Sequence, residues 1–313
     1  MVVFVLKRLG LAVVTIVVVS VIAFLLVHAG TTTPGVIALG MGATPAEIAA
    51  YNQKIGWNDP LALQYLAWLG KAVHGDLGVS LTDGRSILND ILTRLPVTGA
   101  LATGATIVST VLGVALGVTA AVRRGLADRV VSAFTGIVVA IPAFWLGIVL
   151  IFLLAVQTPL LPATGFVPFE ISPSGWAASL VLPVLTLGIG GAAFVGRQTR
   201  ASMIDALSQE HIRTLRATGT PTWRILYVHA LRYASLPIVA SVALQFIALF
   251  GGSVIIETLF AMPGLGLDIQ GAVGSSDSPV VQGLVVIATI VVVIVNLVLE
   301  LVSGILDPKL RTS

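Results

Sequence analysis

SQEHIRTLRATGTPTWRILYVHALRYASLP, residues Ser208–Pro237, is a polar and basic stretch set between two long apolar runs. It carries Arg213, Arg216, Arg224 and Arg232, and Arg197 and Arg200 lie just before it. Gly219 divides it into two short helix-like halves. A cationic segment of this kind cannot lie in hydrocarbon, and the runs on either side of it cannot lie in water. The arrangement is that of an organised loop presented on one face of a bilayer, and such a loop is a docking surface.

Composition agrees. The chain of 313 residues is 57% hydrophobic and 10% charged, with a mean hydropathy of +1.04. A soluble domain carries about 25% charged residues, so this chain cannot cover a water-facing surface. Apolar runs at 9–29, 97–122, 130–156, 176–196, 233–256 and 280–306 are each long enough to cross a hydrocarbon core of about 30 Å as a helix. The expected fold class is all-α, a polytopic membrane protein with six transmembrane helices. The runs lack the alternation of barrel strands. The first follows Lys7-Arg8 and is too long for a cleaved signal segment, so it is read as a retained helix.

Lys7, Arg8, Arg123, Arg124, Arg129, the six arginines above, Lys309 and Arg311 fall on one side of these spans. Lys54, Lys71, Arg85 and Arg94 fall on the other, all in one long loop. Positive charge near span ends marks the cytoplasmic face. Both termini are therefore expected in the cytoplasm. The organisation expected is a first helix (1–29), an outer cap (30–96), a five-helix core (97–306) containing the basic loop at 197–232, and a short tail (307–313). In the cap, Thr44-Pro45 with Glu47 reads as a helix start. Gly75–Gly78 reads as a turn, and Ser86–Leu95 as a short amphipathic helix ending before Pro96. The cap either packs on the bundle alone or also meets an external soluble partner. The glycines at 188–191 and 251–252 suit close helix approach. Glu300 is the carboxylate read as lying inside a span.

No constellation for chemistry is present in the sequence. His28, His74, His211 and His229 are scattered without metal-site spacing, and there is no cysteine. No phosphate loop occurs, so the chain holds no nucleotide in that manner. No basic run interleaved with aromatics supports nucleic-acid binding. The chain is expected to be a non-enzymatic, pore-forming subunit with no cofactor or metal of its own. Energy for transport must come from a partner subunit or from an ion gradient. The spans are nearly bare of the charges a gradient-driven carrier uses. A secondary carrier acting alone is the alternative.

Glu210–Gly219, EHIRTLRATG, resembles the coupling loop of ABC-importer permeases, whose loose signature is EAA, three residues, then glycine. Arg213-Thr214-Leu215 stands where EAA stands, and Gly219 is the glycine. In the dipeptide, oligopeptide and nickel branch the loop reads approximately EYVRTARAKG followed by HALRNALLP, against EHIRTLRATG and HALRYASLP here. His211, Leu215 and Thr218 depart from that pattern. HGDLGVS (74–80), LPVT (95–98), RRGLADR (123–129), IPAFWLG (141–147), ETLFAMPGLG (257–266), SPVVQG (278–283) and LDPKLR (306–311) are similar to the same branch, in the same order. The resemblance implies a type I ABC-importer architecture and the first of two permease subunits in the bacterial inner membrane. It implies as partners a homologous second permease, two cytoplasmic ATPases that hold ATP and magnesium, an extracytoplasmic binding protein, and membrane lipid. It places ATPase docking on Glu210, Arg213, Thr214, Leu215, Arg216, Ala217 and Gly219. It places the outer mouth at Glu257, Pro263, Gly264 and Gly266. Peptides are the cargo it suggests, with nickel chelates and glutathione as alternatives.

Overall fold

The computed structural model describes residues 2–30, 32–40, 42–123 and 125–306, without the side chains of 2–6, 127 and 306. Arg124, most of the LDPKLR stretch and the tail 307–313 therefore lie outside the described residues. Helices α1 (Val2–His28), α2 (Pro34–Leu39), α3 (Pro45–Lys54) and α4 (Leu61–Ala72) lead into the long α5 (Ile87–Val122). Next come α6 (Leu126–Ala140) and α7 (Ala143–Ile151), the latter continued by a π-helical turn, Phe152–Gln157. Then follow α8 (Pro173–Ser208), α9 (Glu210–Ala217) and α10 (Thr222–Arg224). A second π-helical turn, Ile225–Ala230, runs into α11 (Leu231–Leu259), and α12 (Leu265–Gly274) and α13 (Ser278–Leu306) close the order. Among the described residues there is no strand, only an isolated bridge between Val79 and Ser86.

Five helical segments are long and apolar enough to cross a membrane: 7–28, 87–122, 173–208, 222–259 and 278–305. The expected third span, 130–156, is not one helix. It is bent by 97° between α6 and α7, and counting this pair as one broken span gives six. Pro142 has no N–H to continue α6, and Ile141 before it takes an extended backbone (φ −86°, ψ 124°).

Pro96 behaves differently. The helix expected to end before it runs straight through, from Ile87 to Val122. An internal proline costs about 3 kcal/mol. Val97 and Leu101 are buried just beyond it, at 5% and 0% exposure. In a span this burial is packing against protein in place of lipid, and it holds the helix line through the proline.

The described residues form two compact units: residues up to 97 with 263–294, and residues 98–262 with those from 295. In the first, the cap folds back on α1. Ser20 Oγ and Tyr65 OH lie 2.8 Å apart, and the His28 ring stacks on Trp57 with centroids 4.2 Å apart. α3 starts where expected, and there Thr44 and Glu47 form a capping box.

In the second unit α8 is the hub. Its backbone and that of α5 approach closely around Gly113, Gly117 and Gly196. A Cβ at Gly117 would come within 2.6 Å of the Gly196 carbonyl oxygen, and one at Gly188 within 2.6 Å of Val108. Small residues permit this approach, and Ser109 Oγ adds a 3.0 Å hydrogen bond to the Gly188 carbonyl. The 188–191 cluster is thus a packing site, as its composition suggests. Gly251 and Gly252 are exposed, and among the described residues nothing lies within 4 Å of a Cβ at either. Arg200 grips Asp128 at the start of α6 with two bonds, 2.6 and 2.8 Å. One of the six loop arginines is thereby committed to the fold.

Candidate functional site

The basic loop is built from short helices. α8 ends at Ser208, Gln209 turns extended (φ −64°, ψ 146°), and α9 begins at once. One side chain anchors α9: Ile212 is fully buried. Glu210, Arg213, Thr214, Arg216 and Ala217 are exposed and Leu215 is half-buried. Glu210 in the first turn and Arg216 in the last complement the helix dipole. Among the described residues no ion pair joins Glu210 to Arg213.

The C-terminus of α9 is closed by two backbone bonds. Thr220 N–H donates to the Leu215 carbonyl at 3.0 Å, and Gly219 N–H to the Arg216 carbonyl at 3.1 Å. This is the Schellman pattern, which needs a left-handed residue after the cap. Gly219 supplies it with φ +77°. The space around Gly219 is open, so the requirement is conformational and not steric.

Beneath α9 lies the π-helical turn 225–230, where one extra residue per turn resets the face that the chain presents. Ile225 and Ala230 of this turn are buried. Ala230 joins Val118, Ala121, Met203, Ala206, Ala234 and Ile238 in one apolar core. This core draws its side chains from α5, α8, the π-helical turn and α11.

The residues expected at the outer mouth divide between the two units. Glu257, in the last turn of α11, is fully buried within the second unit. Its Oε1 accepts from Thr98 Oγ1 at 2.7 Å and Ser253 Oγ at 2.8 Å. It is the most buried carboxylate among the described residues; Glu300, read as lying inside a span, sits in α13 and is half-buried. The helix outruns the apolar run by three residues and takes Glu257 inside. Beyond it, Ala261 takes a left-handed backbone (φ 51°), and Met262 N–H returns to the Glu257 carbonyl at 2.8 Å.

In the first unit, Pro263 is exposed while Gly264 and Gly266 are buried at the start of α12. There HGDLGVS and SPVVQG meet, although nearly two hundred residues separate them. Asp277, 2% exposed, accepts from Ser80 Oγ at 2.6 Å, Leu81 N–H at 3.2 Å and Thr82 Oγ1 at 3.1 Å. A Cβ at Gly283 would lie 2.7 Å from Ile87. Arg85 contacts Asp268 at 2.7 Å, Asp90 at 3.1 Å and Asp83 at 3.4 Å. Arg94 contacts Asp90 at 2.9 Å and Asp268 at 3.7 Å. Burial pushes the Asp268 carboxyl above the ordinary range, against the pull of Arg94 and Arg85. Asp83 is held below it by the Ser80 hydroxyl and the Arg85 N–H. Arg85, Asp268 and Asp277 were not singled out from the sequence, because nothing local marks partners so far apart.

The described structure is thus a helical, multi-pass membrane protein with an exposed, helical basic loop, the class of a membrane transport component. The chain belongs to the family of binding-protein-dependent transport system inner membrane components, whose profile matches residues 113–312. The profile of that family's N-terminal region matches residues 1–102. The dipeptide transport system permease protein DppB of Escherichia coli K12 is 34% identical over 98% of both chains. "Probable peptide ABC transporter permease protein y4tP" of Sinorhizobium fredii is 33% identical over 99% of both. The solved structure "Inward facing conformations of the MetNI methionine ABC transporter: CY5 native crystal form" matches with a TM-score of 0.58 and 21% identity. That match covers 69% of this chain and 96% of that one, and is a likeness of fold.

Proposed function

We propose that this chain is one of two permease subunits of an ATP-driven importer of peptides, and that α9 is the element on which a cytoplasmic ATPase acts. The observation that carries this reading is the state of α9. The helix is anchored by the single buried residue Ile212, closed by Gly219, and otherwise exposed above a packed core. A helix held this way behaves as a lever, since force on its free face reaches α8 and α11. ATP binding draws two ATPases together, and the loops convert that motion into an outward-open pore, a two-state element biased from a distance. Peptide cargo is supported by the relatives named above, which are described as peptide or dipeptide permeases. A second permease, an extracytoplasmic binding protein and cytoplasmic termini complete the reading. The first-unit rim built on Pro263, Gly264 and Gly266 would face the binding protein.

The test is ATP hydrolysis by the purified assembly in the presence of its binding protein, with dipeptides, glutathione and nickel chelates offered in turn. Dipeptide is expected to stimulate most. Ala217→Glu is expected to leave the chain in the membrane while the ATPases no longer co-purify. An unpaired charge pressed into an interface costs about 3–5 kcal/mol. Normal transport and ATPase retention by that variant would sink the docking assignment.

A further inference from the structure

A cavity of about 600 Å³ opens in the angle between α9 and the first turns of α11. Its polar wall is His211 from α9, His229 from the π-helical turn, and Arg232 and Tyr233 from α11; Leu236 and Pro237 form an apolar wall. Among the described residues no acidic side chain lines it. Arg232 is exposed, so its guanidinium is not spent on the fold as that of Arg200 is. Tyr233 is 55% exposed and lies tilted beside His211, with ring centroids 5.9 Å apart.

The chemistry of these walls specifies a ligand. Arginine and two imidazoles are donors suited to phosphate oxygens. An inorganic phosphate would have no use for a wall of Leu236 and Pro237, which belong to a helix that passes on through hydrocarbon. Tyrosine at such a level is the residue of the headgroup region. A basic pocket between helices at the cytoplasmic boundary is a site for an anionic lipid headgroup. We infer that this cavity binds the phosphate of an anionic phospholipid from the inner leaflet, with Arg232, His229 and His211 on the phosphate and Leu236 and Pro237 along the start of the acyl chain. The inference rests on the reading above that the loop faces the cytoplasm. It adds a lipid seated behind α9, where its presence would limit how far the lever moves.

The experiment is native mass spectrometry of the intact transporter released from nanodiscs of phosphatidylcholine, with or without phosphatidylglycerol. Wild type should retain phosphatidylglycerol in preference to phosphatidylcholine. Arg232→Gln should reduce that retention about fivefold, the effect of one cation at a membrane surface. His229→Gln with Arg232→Gln should reduce it further, and Arg232→Lys should keep most of it. Co-purification of the ATPases shows that each variant is folded and that the docking assignment stands independently. Unchanged retention in the double variant would overturn the proposal. So would displacement of phosphatidylglycerol by millimolar inorganic phosphate, which would make this a small-anion site. Retention seen only after the ATPases are stripped away would assign the cavity to the ATPase contact instead.

Discussion

At Gly219 a single backbone angle fixes what the loop can be. Its φ of +77° is the left-handed region, which costs an L-residue about 1–2 kcal/mol. Because nothing lies within 4 Å of a Cβ there, substitutions should rank by conformational cost alone. Asparagine tolerates the region, alanine less, and β-branched valine least. Substrate-stimulated ATP hydrolysis should therefore fall in the order Gly219, Gly219→Asn, Gly219→Ala, Gly219→Val, at constant membrane expression. A variant series ordered by side-chain volume, with asparagine worse than alanine, would show that a partner surface and not φ sets the requirement. Ala261 and Ser276 also take left-handed backbones without being glycine (φ 51° and 57°). Both follow helix ends next to the buried acids, Ala261 after Glu257 and Ser276 before Asp277. Strain of this kind persists only where the surroundings over-determine it.

Among the elements, the turn 80–85 shows how distant segments are held. Asp277→Ala would leave the Leu81 amide unpaired, at about 1–3 kcal/mol for a buried donor, and take from the Ser80 and Thr82 hydroxyls the carboxylate they donate to. The thermal midpoint of the purified assembly should drop and proteolysis within 81–84 should accelerate. Asp277→Asn, which keeps an acceptor, should do so less. Identical midpoints for wild type and Asp277→Ala would mean that Arg85 and its carboxylates hold the turn unaided. Nothing in the sequence announced Asp277, whereas the helix start marked by Thr44 and Glu47 was plain, because local pairs leave a spacing and distant ones do not. The same limit explains the two prolines. Pro96 and Pro142 look alike as sequence, each beside an apolar run. Pro96 is followed by the buried Val97, Thr98, Leu101 and Ala102, and the helix continues. Pro142 is followed by exposed Ala143, Phe144 and Trp145, which have no such packing to hold the helix line, and the chain turns by 97°. The loop helix was legible because Gly219 and the charge pattern are local. The π-helical turn beneath it was not, since its inserted residue changes no periodicity long enough to read.

For the whole molecule, length and charge together bear on the sidedness. α8 has 36 residues, about 54 Å at 1.5 Å per residue, against a hydrocarbon core of about 30 Å. Its excess carries Arg197, Arg200 and the start of the loop, so the surplus helix projects on the side where basic residues gather. That side is the cytoplasm if the positive-inside bias governs insertion. The chain has no cysteine, so single cysteines report cleanly. Ser80 is 3% exposed and would report burial instead of sidedness. Asn58 and Ser275 are exposed residues of the unit that carries the cap, and Ser208 is exposed at the end of α8. Cysteines at Asn58 and Ser275 should react with a membrane-impermeant maleimide added to intact spheroplasts. One at Ser208 should react only after the membrane is opened. Labelling at Ser208 in sealed cells would invert the topology. It would also remove the cytoplasmic ATPase from reach of α9, and with it the whole coupling scheme.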